Sequence, residues 1–356
     1  MVYFPESVII TSKDGIQFKS FSNEHPEGFI IAKPKYIPVK YVFSDKMQFR
    51  NLFHKQVNRL DMWSDKKELK YYLQAIKENY PKYFYKSDVH KNWFFAIPKD
   101  EIKQVFDPKE GLKSLMINGK NDGHIKKVLD FVNIILFSGV SIEDLGVTFS
   151  TLVGHYDAKY SDINIVIYGK KNSWKVIDYL NRVKDSRLRW KSQEEWESYR
   201  RKRNRFNVFS KEEFLDQMSR KKTEGFFEDT LFVLFSVPKE NENWIRWGEE
   251  IYEPLGICEV EGIVIDNSDS LFRPGRYVIK DSKVLSGEEK KIKEIVFYTR
   301  DYVIQVFKNE KIRACGMLER AKNLKTGKEH YRIVVDYPDS YLNNRREKEY
   351  IKKVNV

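Results

Sequence analysis

The chain is expected to be an α+β protein whose two ends are built from strands and whose middle mixes strands with helices. Three observations carry this. Residues 1–43 and those from about 249 onward alternate apolar and polar side chains with the period of a strand. Residues 122–138 and 173–183 place apolar side chains three and four apart, the period of a helix face. A length of 356 residues exceeds what one hydrophobic core usually organises. The expected division is an N-terminal β plus helical region over 1–110, a core over 111–245, a C-terminal antiparallel β barrel over 246–345 and a polar tail over 346–356.

The elements follow in order. "SVIITSKDGIQFKSF" carries a hairpin signal, Asp14-Gly15, between two β-branched or aromatic runs. "GFIIAKPKYIPVKYVF" continues as strand, with Pro34 and Pro38 suiting an edge or bend. Phe49, Leu52, Phe53, Val57 and Leu60 then predict a helix face, and "KKELKYYLQAIKENYPKYF" predicts a second helix stopped near Pro81. "WFFAIPKDEIKQVFDP" reads as a strand and a short helix, with a boundary at Pro108 and Gly111. Ile125, Val128, Leu129, Val132, Ile135 and Leu136 make one helical stripe, ended by Gly139. Ser173 is the expected N-cap of the helix to Val183, and Ser210 that of a helix ending at Gly225. "TLFVLFSVP" reads as a buried strand, and the five strands after residue 249 form the barrel.

Composition narrows the function classes. No apolar run approaches the ~18 residues that a membrane helix needs. "MVYFPESVII" lacks a basic region followed by a cleavage site, so a cytoplasmic location is expected. Cys258 and Cys315 form no CxxC pair and are expected to be small buried hydrophobes in a reducing compartment. The six histidines show no metal-ligand spacing. No hydrolase elbow, P-loop or dinucleotide glycine pattern is present. The net charge of +12 favours polyanions, so nucleic acid is the expected partner and no membrane is.

The chemistry-bearing stretch is "TFSTLVGHYDAKYSDINIVIYG", Thr148 to Gly169. On a strand "YSDINIVIYG", Asp162, Asn164, Val166 and Tyr168 share one face and the three isoleucines the other. An aspartate two residues before a second acid can hold two metal ions against a nucleotide's phosphates. Here the second position is Asn164, whose amide oxygen is a weak neutral ligand. "TFSTLVG" predicts a strand-to-helix turn at which Ser150 and free N–H groups would meet phosphate, with Phe149 where a glycine would allow close approach.

These residues resemble the glycine-serine and aspartate-x-aspartate signature of the DNA polymerase β-like nucleotidyltransferase superfamily. More narrowly, the chain is similar to an archaeal group of predicted nucleotidyltransferases. "EHPEGFIIAKPKYIP", "SDINIVIYG", "EPLGICEVEGIVIDNSDSLFRPGRYVI" and "KIRACGMLER" carry the likeness over nearly the full length. The resemblance implies a polymerase β-like core of mixed sheet and helices, with Mg²⁺ and a nucleoside triphosphate. It implies Asp162 as metal ligand, Asn164 in the second carboxylate's place and Asp229, with Glu228 beside it, as third-carboxylate candidates on a later strand. Ser150, Gly154, Lys159 and Ser161 would contact the nucleotide, and His155 stands beside them. The departures at Phe149 and Asn164 leave two functions open: metal-dependent nucleotidyl transfer, or a catalytically inactive protein that binds nucleotide or nucleic acid on the retained fold.

Two further stretches point to nucleic acid. "SYRRKRNRF" places Arg200, Arg201, Lys202, Arg203 and Arg205 among Trp190, Trp196, Tyr199 and Phe206, a mixture that can serve phosphates and bases. The same spacing also allows Trp196 and Tyr199 to be a core face with a solvated back. In the barrel, "KIRACGMLER" is similar to an oligonucleotide-binding (OB) fold strand, with Phe297, Tyr298 and Tyr302 as candidate exposed rings; a purely structural barrel is the other reading.

Overall fold

The computed structural model describes residues 4–38, 48–52, 55–59, 74, 76–119, 122–337 and 345–354. The fold is α+β, with three sheets. The first contains β1 (Ile9–Ser12), β2 (Gln17–Ser20), β3 (Phe29–Pro38), β4 (Gln48–Leu52), β5 (Lys55–Arg59), β6 (Phe84–Ser87), β7 (Asn92–Pro98) and β8 (Ile102–Phe106). Its order is β4-β5-β3-β2-β1-β8, with β7 joined to the start of β3 and β6 to β7. The 10-residue β3 is its hub, since different stretches of it pair with β7, β2 and β5.

This sheet corrects two expectations. The helix face at Phe49, Leu52 and Val57 is instead the β4–β5 hairpin, with Phe49 opposite Asn58 (Phe53 and Leu60 lie outside the described residues). Pairing of β5 with Tyr36, Ile37 and Pro38 supplies hydrogen bonds that a short helix could not match, and it overrides the apolar spacing. The predicted short helix after "WFFAIP" is strand β8, because its backbone pairs with β1. The second predicted helix lies largely outside the described residues; residues 76–79 are helical and Pro81 opens a 3₁₀ turn.

The middle layer begins with helix α1 (Pro108–Asn118), with Asp107 as N-cap and Pro108 at its first position. Gly111 sits inside α1, where a β-carbon would come within 2.3 Å of Leu152. Helix α2 (Gly123–Leu136) follows with the expected stripe, and Gly139 ends it at φ +79°. Strand β9 (Leu145–Val147), the single turn α3 (Phe149–Leu152) and strand β10 (Ile163–Tyr168) come next. Helix α4 (Lys170–Arg182) is capped four residues earlier than expected. Gly169 is its N-cap, and Ser173 lies buried in its first turn, giving its N–H to the Gly169 carbonyl. Strand β11 (Leu188–Trp190), helices α5 (Gln193–Arg201) and α6 (Lys211–Ser219), and strands β12 (Glu224–Phe227) and β13 (Thr230–Val237) complete it. Gly225 does not end α6. It lies in β12, where a β-carbon would meet the Arg189 carbonyl at 2.6 Å. The sheet order is β11-β12-β13-β10-β9, with β10 antiparallel to β9 and parallel to β13. Ile163, Ile165 and Ile167 bury their side of β10 against α2 and α4 residues such as Val128 and Val176.

The third sheet comprises β14 (Glu250–Asp266), β15 (Gly275–Ser286), β16 (Ile292–Phe297), β17 (Lys311–Asn323), β18 (Glu329–Val335) and β19 (Tyr350–Val354). Its order is β14-β15-β16-β18-β17, and β14 pairs with β17 along 13 residue pairs, so the sheet closes on itself. The expected closed sheet is present, but it is not wholly antiparallel: β16 and β18 pair in parallel. The polar tail is not loose: β19 extends the sheet from β17, and Glu349 is fully buried. Phe297, Tyr298 and Tyr302 are not exposed rings; all three are core side chains, 0%, 4% and 1% exposed. Phe297 and Tyr302 join the main core cluster, while Tyr298 points the other way and is buried with Phe21, Phe94 and Tyr337. Cys258 and Cys315 are free thiols on neighbouring strands, both pushed up to about 11 by burial. Among the described residues no helix is long and apolar enough to cross a membrane.

Candidate functional site

The sequence-predicted turn forms where β9 hands over to β10. The Thr148 N–H bonds to the Asn164 carbonyl (3.1 Å) and the Thr148 hydroxyl to the Ser7 carbonyl (2.7 Å), which ties the turn to the first sheet. Phe149, standing where the nucleotidyltransferase signature has glycine, adopts φ +57°. That left-handed backbone is natural for glycine and costs an ordinary L-residue roughly 1–2 kcal/mol. The Phe149 ring lines the cleft. Helix α3 is only four residues long, too short to present the set of amides and dipole expected to meet phosphate there.

Around this turn lies a cleft of about 820 Å³. One wall is the first sheet, through Lys19, Lys33, Lys35 and Arg59. The opposite wall is the turn and β10, through Phe149, Ser150, Asp162 and Asn164. Arg273 enters from the barrel's β14–β15 loop. Lining cations number five against two carboxylates, Asp157 and Asp162. The cations lie over aromatic faces. The Lys35 ammonium is 3.7 Å and the Lys19 ammonium 4.8 Å from the centre of the Phe149 ring. Lys33 (3.6 Å) and Arg273 (4.4 Å) share the Phe21 ring. Lys19 (4.5 Å) and Arg300 (4.2 Å) share Phe235. Glu6, 1% exposed, pairs with both Lys19 (3.4 Å) and Arg273.

Burial without enough counter-charge shows in the acidities. Desolvation, reinforced by Arg273, holds Lys19 and Lys33 well below the usual lysine range. Lys35 is lowered to about 7, by burial first and then by Arg59, with Asp162 opposing. Arg300 is lowered to about 10, mainly by burial. Asp162 faces the solvent of the cleft yet is recessed between its walls. That recess raises its carboxyl above the ordinary range, against the pull of Arg59, Lys191 and Lys35.

The predicted residues distribute as follows. Ser150, His155, Ser161, Asp162 and Asn164 come together in the cleft lining. Asn164 is 8% exposed and donates its side-chain N–H to the Asp162 carbonyl (3.2 Å). Gly154 and Lys159 lie outside the lining. Lys159 is exposed on the following turn, its backbone N–H held by Asp157 (2.8 Å). Asp229 and Glu228 form the two-residue tip of the β12–β13 hairpin at φ +62° and +46°, and Asp229 is exposed outside the cleft. The acid in register with the signature is Glu224: Asn164 pairs with Val233, and Val233 with Glu224. That carboxylate is already held by Lys191 (2.5 Å) and Lys221, which keep it far below the usual range. Among the described residues no three His, Cys, Asp or Glu side chains gather as a metal site. One carboxylate, one amide and an ammonium-lined wall do not suit two divalent cations.

The basic run disperses. Arg205 is fully buried, paired with Asp301 (3.1 Å) and Asp336 (3.3 Å). Arg200 and Arg201 pair with Glu197 on α5, and Arg203 lies 3.6 Å over Tyr199. Trp196 and Phe206 are core, and the Tyr199 hydroxyl bonds Asp301 (2.6 Å). Lys202 is exposed.

The chain has a full-length relative. It is 29% identical over 328 residues to the uncharacterized protein MJ1086 of Methanocaldococcus jannaschii, covering 92% of this chain and 93% of that protein. No family model and no solved structure matches it. Lys19, Lys33, Lys35, Arg59 and Arg273 are the residues that sequence reasoning missed. A signal existed for two of them: "AKPKY" puts Lys33 and Lys35 two apart, hence on one face of a strand.

Proposed function

We propose that the protein binds the phosphates of a nucleotide or nucleic acid in the basic cleft, on a polymerase β-like nucleotidyltransferase fold that no longer supports two-metal chemistry. The observation that carries this is the lining of five cations against two carboxylates around Asn164. Fixed cations supply the positive charge that metal ions would otherwise bring, and they attract a polyanion from solution. The fold part of the proposal is supported by the β9–turn–β10 unit, with β13 parallel to β10 and Asp162 at the entry to β10. For the barrel, the cyclic order β14-β15-β16-β18-β17, with β16 and β18 parallel, supports an OB-type reading.

The test pairs binding with transfer. Wild type, Asp162→Ala and Asn164→Asp are given labelled nucleoside triphosphates with Mg²⁺ or Mn²⁺ and pooled cellular RNA and DNA. The expected result is salt-sensitive binding by wild type and no metal-dependent incorporation of label. Incorporation by wild type that disappears in Asp162→Ala would replace this proposal with an active nucleotidyltransferase. Absence of any salt-sensitive binding of nucleotide or nucleic acid would remove both.

A further inference from the structure

We infer that the floor of the cleft is a metal-free subsite for a terminal phosphate group, built jointly from the first sheet and the barrel by Lys19, Lys33 and Arg273. This rests on the anion-binding reading above and specifies its ligand.

Arg273 is the decisive residue. It is 2% exposed, and its only carboxylate partner among the described residues is Glu6, engaged through one terminal nitrogen. Its Nε and other terminal nitrogen are buried and have no hydrogen-bond partner in the described structure, although the side chain lines the cleft. A buried guanidinium left with two unpaired nitrogens is costly unless acceptors complete it, and phosphate oxygens are strong acceptors for it. Lys33 reaches the same Phe21 ring as Arg273, and Lys19 shares Glu6 with it. The three basic side chains therefore converge, with Glu6 beside Lys19 and Arg273 and Asp336 acting on Lys33. A phosphate brings negative charge and acceptor oxygens to a place where burial disfavours the charged forms of the lysines.

Depth selects the kind of phosphate. Lys19 is 8% exposed, so a continuous phosphodiester chain, which needs an open groove, cannot run past it. A chain end can reach it. The ligand class is a terminal phosphate, carried either by a free nucleotide or by the phosphorylated end of a nucleic acid. The cleft's volume suits a ligand of nucleotide size.

The experiment is isothermal titration of the full chain in EDTA with inorganic pyrophosphate, ATP, and a short oligonucleotide with and without a 5′-phosphate. Pyrophosphate is expected to bind without metal and to raise the melting temperature. Lys33→Met is expected to weaken it about tenfold or more, as does losing one charge-assisted hydrogen bond. Arg273→Gln is expected to do the same; Lys33→Met keeps the test decisive if Arg273→Gln fails to fold. Preference for ATP, or for the phosphorylated oligonucleotide over its hydroxyl counterpart, identifies the source, and either supports the inference. Binding that requires Mg²⁺, falls in Asp162→Ala and is unchanged in Lys33→Met would overturn this inference while leaving a nucleotide-binding protein. Equal binding of both oligonucleotides would overturn the terminal-phosphate assignment alone. No binding of any probe by the folded wild type would overturn both readings.

Discussion

The protein has two basic regions, and they are opposites. Arg200 to Arg205 pack five cations into six positions of sequence, but folding hands three of the arginines to Glu197, Asp301 and Asp336. The cleft cations are scattered from residue 19 to residue 273, yet folding brings them together, sets four of them over rings and gives Lys19 and Arg273 one carboxylate, Glu6, to share. Local density of charge in the chain says little about density of field in space. What counts is whether a carboxylate has been placed within reach. A ring attracts a cation through its quadrupole but leaves the charge uncompensated, so the attraction for an external anion survives.

The comparison breaks most decisively at Arg205. Arg205→Met removes the cation shared by two buried carboxylates, so it should lower unfolding stability by roughly 3 kcal/mol in urea titrations and leave pyrophosphate affinity within twofold once folded. A stable variant with lost affinity would mean that the run is a ligand site after all. Lys35→Met should do the reverse. It removes a cation that the fold holds at a cost, so melting temperature should stay level or rise while anion affinity drops about tenfold.

Acidity sharpens the contrast. Lys35 faces Arg59 from β5, Asp162 at the start of β10 and the Phe149 ring. Its lowered value means that it is charged below pH 7 and neutral above. Pyrophosphate affinity should therefore fall as pH rises from 6 to 8. The unfolded chain holds that proton up to the ordinary lysine range, so the stability of the free protein should rise over the same interval and beyond. Parallel movement of the two quantities would refute the assignment. At acid pH a different part of the first sheet gives way. His25 bonds the Phe4 carbonyl (2.9 Å) and accepts the Ile31 N–H (3.0 Å), and burial lowers it to about 4. Its contribution is complete above pH 6.5 and lost as pH falls toward 4, on the order of 3 kcal/mol, and His25→Gln should flatten that part of the stability profile. The smallest effect belongs to the surface. Arg201, 72% exposed, and Lys202 can become serine with stability and affinity almost unchanged, within about 0.5 kcal/mol by denaturation and titration.

Much of the architecture was legible in the chain. Period-two and period-three-to-four patterns located the barrel, α2 and β10, because those elements each bury one continuous face. "SDIN" pointed to the cleft, since alternation alone puts Asp162 and Asn164 on one side of the strand. The hairpin at residues 48–59 was not legible, because β5 owes its form to β3, a partner that its own sequence does not show. Nor were the buried rings after residue 296: Phe297 is buried by the closed sheet, and Tyr298 by Phe21 and Phe94 of the first sheet, a neighbour that the local pattern does not show.

The sequence by itself determined the local periods, the placing of an amide, Asn164, two residues after Asp162 and the overall excess of positive charge. Tertiary structure alone decided which charges are cancelled and which are left to act. Coulomb interactions depend on distance and dielectric, not on order along the chain, and only the folded arrangement puts Asp301 and Asp336 beside Arg205 while leaving Arg273 with open nitrogens at the floor of a cleft.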